Sequence, residues 1–121
     1  MLPIQGITID VFDTSLGVAA TGIPVRLEHH RDGQWHPAGI AITDAEGRAH
    51  PLDPLDDTEA EPEPFRKGDY RLTFQVAAYF KARDIKSPYP FIEVTFTVSE
   101  IRHTHVPLLL SPFGYSTYLG S

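Results

Sequence analysis

Apolar and polar residues alternate along most of this chain, the period-two pattern of strands that bury one face. In "ITIDVF" (7–12), Ile7, Ile9 and Val11 point one way, which assigns them to the core, and Thr8, Asp10 and Phe12 point the other. "IPVRLEHH" (23–30) repeats the pattern through Ile23, Val25 and Leu27. "WHPAGIAIT" (35–43) reads as a third strand and runs into the turn "TDAEGR", which contains Gly47. "YRLTFQV" (70–76) and "FIEVTFTV" (91–98) are rich in β-branched and aromatic residues with alternating apolar faces. "THVPLLL" (104–110) and "YSTYL" (115–119) form a hairpin around Ser111-Pro112-Phe113-Gly114. Only "AAYFKAR" (77–83) reads as helix, about two turns long.

Short strands at this spacing, punctuated by eleven Pro and nine Gly, predict an all-β sandwich. The acidic, Pro-rich segment "PLDPLDDTEAEPEPFRK" (51–67) interrupts the pattern and reads as a solvated connecting loop. No repeat or linker divides the 121 residues, so one domain over 1–121 is expected.

Composition removes several function classes. The absence of Cys excludes disulfides, thiol chemistry and thiolate metal sites. A net charge of −6 with no cluster of Lys or Arg argues against nucleic acid as a partner. "MLPIQGITIDVFD" lacks the basic start and apolar core of a signal peptide, and no apolar run is long enough to span a membrane. The expectation by elimination is a soluble cytoplasmic protein.

Five stretches carry a family likeness: "DTSLG" (13–17), "TDAEGR" (43–48), "YRLTFQVAAYFKAR" (70–83), "YPFIEVTFTV" (89–98) and "HTHVPLLLSPFGYSTYLGS" (103–121). In this order they resemble 5-hydroxyisourate hydrolase, the transthyretin-related family, over nearly the whole chain. The resemblance implies a transthyretin-like eight-stranded β-sandwich with one short helix. It also implies a homotetramer built as a dimer of dimers, with active sites in the channel between the dimers. The implied reaction is hydrolytic opening of 5-hydroxyisourate in urate breakdown, without metal or cofactor. Carried over residue by residue, the family's penultimate-strand His matches His105 and its turn Arg matches Arg48, while Tyr118, Gly120 and Ser121 match its C-terminal motif. Three positions depart from the pattern. Asp10 stands where the family has a first-strand His, Leu119 where it has the terminal Arg, and Val18 where an Arg usually follows "DTSLG".

Strand alternation examines the same residues independently. Asp10 shares a face with Thr8 and Phe12, and His105 shares one with His103, Pro107 and Leu109. These mixed polar and apolar faces suit an oligomer interface. Hydrolysis of a cyclic amide-like bond needs a base for water, a donor for the developing oxyanion and a means of holding the heterocycle. Imidazole suits the first role, which assigns His105 as base or acid. Guanidinium suits the others, which assigns Arg48 as oxyanion donor or anion binder. Asp10 is the substituted partner of this pair, and Asp10 and Arg48 can also pair with each other. His103, Tyr118, Leu119, Gly120 and Ser121 are the candidate substrate-binding residues. Replacing His by Asp and Arg by Leu makes the site more negative by about two charges, which favours a neutral or cationic ligand, or slow turnover of the family substrate.

Other histidines have more ordinary readings. His103 and His105 on one strand face suit Zn or Cu, but no third ligand is evident, so no metal site is expected. His50 either faces the same pocket as Arg48 or packs on the surface. His29-His30 reads as a solvated strand end. Two functions remain in view: a cofactor-free hydrolase of a small purine-derived or related heterocycle, and a non-catalytic small-molecule binding protein on the transthyretin scaffold.

Overall fold

The computed structural model describes residues 6–52 and 64–120, and its strands fall into two stacked sheets. In chain order the elements are β1 (Ile7–Asp13), β2 (Val18–Ala19), β3 (Pro24–Arg31), β4 (Gln34–Ile42), β5 (Arg48–Ala49), β6 (Gly68–Phe74), α1 (Ala77–Ala82), β7 (Ile92–Val98), β8 (Thr104–Ser111) and β9 (Gly114–Thr117). One sheet runs β2-β1-β8-β9, with β5 also paired to β1, and the other runs β4-β3-β6-β7. The predicted sandwich with one short helix is therefore present. It has nine strand segments because β2 and β5, two residues each, are counted separately. Most of the acidic loop, 53–63, lies outside the described residues, as does Ser121.

The core follows from the alternation. Ile7, Ile9 and Val11 of β1 and Val106, Leu108 and Leu110 of β8 are buried, facing Val25, Leu27, Leu72, Phe74 and Ile92 from the other sheet. Each such side chain contributes roughly 1.5–3 kcal/mol of transfer free energy when fully buried. Among the described residues, no helix is long and apolar enough to cross a membrane.

β1 and β8 run parallel in unbroken register, from Ile7 opposite Thr104 to Asp13 opposite Leu110. β2 and β5 share the other edge of β1 over different stretches, and β5 places Arg48 opposite Asp10. The tight turn at Gly47 supports this pairing. Gly47 adopts φ +77, and a Cβ there would stand 2.4 Å from the Val11 carbonyl oxygen, so neither the conformation nor the space admits a side chain.

The "DTSLG" stretch has a structural cause. One carboxylate oxygen of Asp13 accepts hydrogen bonds from the backbone N–H groups of Ser15 and Leu16 and from the Ser15 hydroxyl. The other accepts the Tyr79 hydroxyl of α1 at 2.7 Å. Asp13 is fully buried and joins the end of β1 to the helix. Burial alone would raise its pKa, but these hydrogen bonds outweigh burial and hold it below the ordinary 3.8. Burial and the Asp13 carboxylate together push the Tyr79 phenol up to about 12.

One expectation is corrected here. His29 is not a solvated strand end: it is buried, stacks on Tyr70 with ring centroids 4.5 Å apart, and faces the Lys67 carbonyl oxygen through Nε2 at 3.2 Å. His30 is partly covered and meets the Trp35 ring edge-on.

Candidate functional site

The outward face of β1 and its two flanking strands brings together Asp10, Arg48, His105 and His103 of the predicted site residues, whereas Leu119 borders a hollow beside Thr97 and Val98. Asp10 lies at the centre. From β5, Arg48 Nε donates to Asp10 Oδ1 at 3.0 Å. From β8, the His105 imidazole meets Asp10 Oδ2 through Nε2. His105 lies opposite Thr8 rather than Asp10 in the ladder, so its ring reaches diagonally along the sheet to the carboxylate. Three strands thus deliver one continuous chain, Arg48–Asp10–His105. The His105 and Asp10 side chains are about one-third exposed and Arg48 is 55% exposed.

Arg48 is restrained from several directions. Its backbone N–H donates to Asp44 Oδ1 at 2.9 Å within the "TDAEGR" turn. The N–H groups of Arg48 and Glu46 hold the Asp44 carboxylate below its ordinary pKa. The guanidinium also approaches Glu46 at 3.4 Å through Nη1. One cation therefore faces two carboxylates, Asp10 and Glu46, which leaves its surroundings net negative. No described residue engages Nη2, so the fork keeps donors that point to solvent.

One turn of the pleat away, Thr8 organises a second group. Its hydroxyl lies 2.6 Å from His103 Nε2 and 3.3 Å from His50 Nδ1. His50 is exposed, and its ring contacts Thr8 rather than Arg48. Thr8 was placed on the right face by alternation, but no role was assigned to it. Among the described residues, no cluster of three or more His, Asp and Glu side chains suits a metal ion.

The final segment is shaped by Pro107. β9 pairs with β8 from Ser111 opposite Gly114 to Leu108 opposite Thr117. In the continuing register Pro107 would face Tyr118, but proline has no N–H to give. The Pro107 carbonyl oxygen instead accepts the Thr117 hydroxyl at 2.6 Å. The chain leaves the ladder at Tyr118 and Leu119, which are 60% and 50% exposed. It rejoins at Gly120, whose N–H and carbonyl bond His105 at 2.8 and 2.9 Å. Pro107 itself is buried, although the alternation gave it the outer face. Leu119 and Gly120 border a hollow of about 350 Å³ shared with Thr97, Val98, Glu100 and Arg102. On the same outer face Phe12 and Leu109 expose large apolar surfaces, and Tyr118 is exposed beyond the end of β9.

Comparison with known proteins finds relatives over nearly the whole chain. Residues 7–120 match the family model described as Transthyretin: HIUase/Transthyretin family. The chain is 38% identical over 116 residues to the 5-hydroxyisourate hydrolase of Salmonella dublin, covering 95% of this chain and 80% of that one. It is 37% identical over 118 residues to the 5-hydroxyisourate hydrolase of Mus musculus, covering 95% and 94% of the two chains. Among solved structures, Klebsiella pneumoniae 5-hydroxyisourate hydrolase superimposes with a TM-score of 0.77 at 29% identity, over 98% of this chain and 100% of that one.

Proposed function

The chain belongs to the HIUase/Transthyretin family, and on that footing we propose that it is a hydrolase that opens the ring of 5-hydroxyisourate or a closely related heterocycle. The observation that carries this reading is the Arg48–Asp10–His105 chain on one accessible sheet face. It supplies a base and a cationic donor within reach of one bound ring. His105 takes a proton from water as the water oxygen bonds to the carbonyl carbon. The free N–H groups of Arg48 stabilise the oxyanion. The C–N bond then breaks, and the imidazolium returns the proton to the departing nitrogen. His103, Tyr118, Leu119 and Gly120 are assigned to the walls of the site.

We further propose that the protein works as a homotetramer in which a second copy covers this face. The exposed Phe12, Leu109 and Tyr118 support that reading, because apolar surface of this kind suits an interface. Purified protein mixed with freshly generated 5-hydroxyisourate should accelerate its ultraviolet decay, and light scattering should give four times the chain mass. Decay at the spontaneous rate would remove the hydrolase assignment, and a monomer mass would remove the tetramer.

The charge balance gives a sharper expectation. Arg48 is shared between Asp10 and Glu46, and Leu119 contributes no compensating charge. Leu119→Arg should lower KM for the anionic ring roughly five- to tenfold and leave kcat within about twofold, the pattern of added uniform binding. An unchanged KM in steady-state kinetics would show that position 119 does not meet the substrate.

A further inference from the structure

Building on the hydrolase reading, we infer that Asp10 is a positioning residue that holds His105 protonated on Nε2, so that the reacting lone pair is on Nδ1 and opens past Gly120. The argument begins with what Asp10 can accept. Its Oδ1 already takes the Arg48 Nε–H at 3.0 Å. A carboxylate in that position is an acceptor at both oxygens. The imidazole nitrogen facing Oδ2 is Nε2, and only a protonated nitrogen makes that contact favourable. In a neutral ring the lone pair then lies on Nδ1.

The surroundings of Nδ1 agree. Among the described residues it has no hydrogen-bond partner, and it is not among the buried polar atoms that lack one. The nearby imidazoles do not compete for it, because His103 and His50 are both turned to Thr8. The chain segment held next to the ring is Gly120, tied to the His105 backbone by two hydrogen bonds. A Cβ built on Gly120 would stand 3.7 Å from Nδ1. Gly120 has no positive φ, so backbone strain does not demand glycine there. The missing side chain keeps open the approach to the lone pair. Asp10, which departs from the family pattern, therefore still serves the reaction by fixing the tautomer and aim of the base.

Nitrogen-15 NMR of the labelled His105 ring, recorded without substrate at a pH where the ring is neutral, tests this directly. The expected spectrum shows Nδ1 unprotonated and Nε2 protonated; the reverse assignment overturns the inference. In Asp10→Asn, one amide oxygen must serve both Arg48 and His105. A mixed tautomer signature and a kcat lower by roughly 10- to 100-fold are expected, with Asp10→Glu recovering most of both. Retention of the wild-type signature in Asp10→Asn would refute the positioning role. Gly120→Val should keep the signature yet lower kcat/KM about tenfold or more, and wild-type turnover by that variant would refute the open approach through position 120. Because the spectrum needs no turnover, the two readings separate. An inactive protein with the Nδ1 lone pair refutes only the hydrolase assignment, and an active one with the Nε2 lone pair refutes only this inference.

Discussion

His105→Ala is expected to lower kcat/KM for 5-hydroxyisourate by roughly 10²- to 10⁴-fold, the range that general acid–base catalysis contributes. The loss should appear in kcat, because the imidazole moves a proton in the transition state and is not needed to hold the ring. Folding should survive. The bonds that tie β8 to Gly120 use the His105 backbone, which alanine keeps. Asp10 also retains its Arg48 partner when the imidazole is removed, so no charge is stranded in a dry interior. The thermal midpoint should therefore shift by only a few degrees while turnover collapses. Stopped-flow ultraviolet decay alongside a melting curve checks both halves. A loss of less than tenfold would place the base elsewhere.

This expectation rests on residues that the sequence placed correctly for a physical reason. "ITIDVF" and "THVPLLL" alternate strictly, and a sheet with one face on a core converts alternation directly into burial. Ile9 and Val106 are accordingly buried, and Asp10 and His105 lie on the opposite face. The pairing of Asp10 with Arg48 depends on the β1–β5 register between residues far apart in the chain, which alternation does not set. β2 and β5 left no signal at all: two residues cannot display a period, and each exists because β1 offers it an edge. His29 is different, because the signal was present. It continues the Val25, Leu27 alternation, so the period places it inward, against the frequent surface location of histidine. Pro107 had a further consequence that alternation could not express. A missing N–H interrupts the β8–β9 ladder at Tyr118 and Leu119. The family likeness supplies candidate roles for these terminal residues; alternation alone supplies none.

The largest stability effect is expected at Asp13, which performs no chemistry. Asp13→Ala removes the acceptor for four donors: two backbone N–H groups, the Ser15 hydroxyl and the Tyr79 hydroxyl. Tyr79 is buried, so its hydroxyl would be left dry and unpaired, the costly case for a hydrogen bond. A loss of about 3–4 kcal/mol is expected, which lowers the thermal midpoint by on the order of 10 °C for a chain of this size. Tyr79→Phe deletes one donor without stranding the carboxylate, which keeps its other three, and should cost only about 1–2 kcal/mol. The double variant should then cost less than the sum of the two, since each single change disrupts the same bond. The pair also contributes at both ends of the pH-stability curve. Asp13 has a folded pKa below 3.8, so its contribution is complete above that value and is lost as pH falls through the folded one. Tyr79 is raised from 10 to about 12, so its contribution is complete below pH 10 and is lost as pH rises toward 12. Urea titrations across pH should show stability falling at both ends, with both slopes reduced in Asp13→Asn. A variant as acid-sensitive as the parent would mean that other carboxylates govern the acid limb.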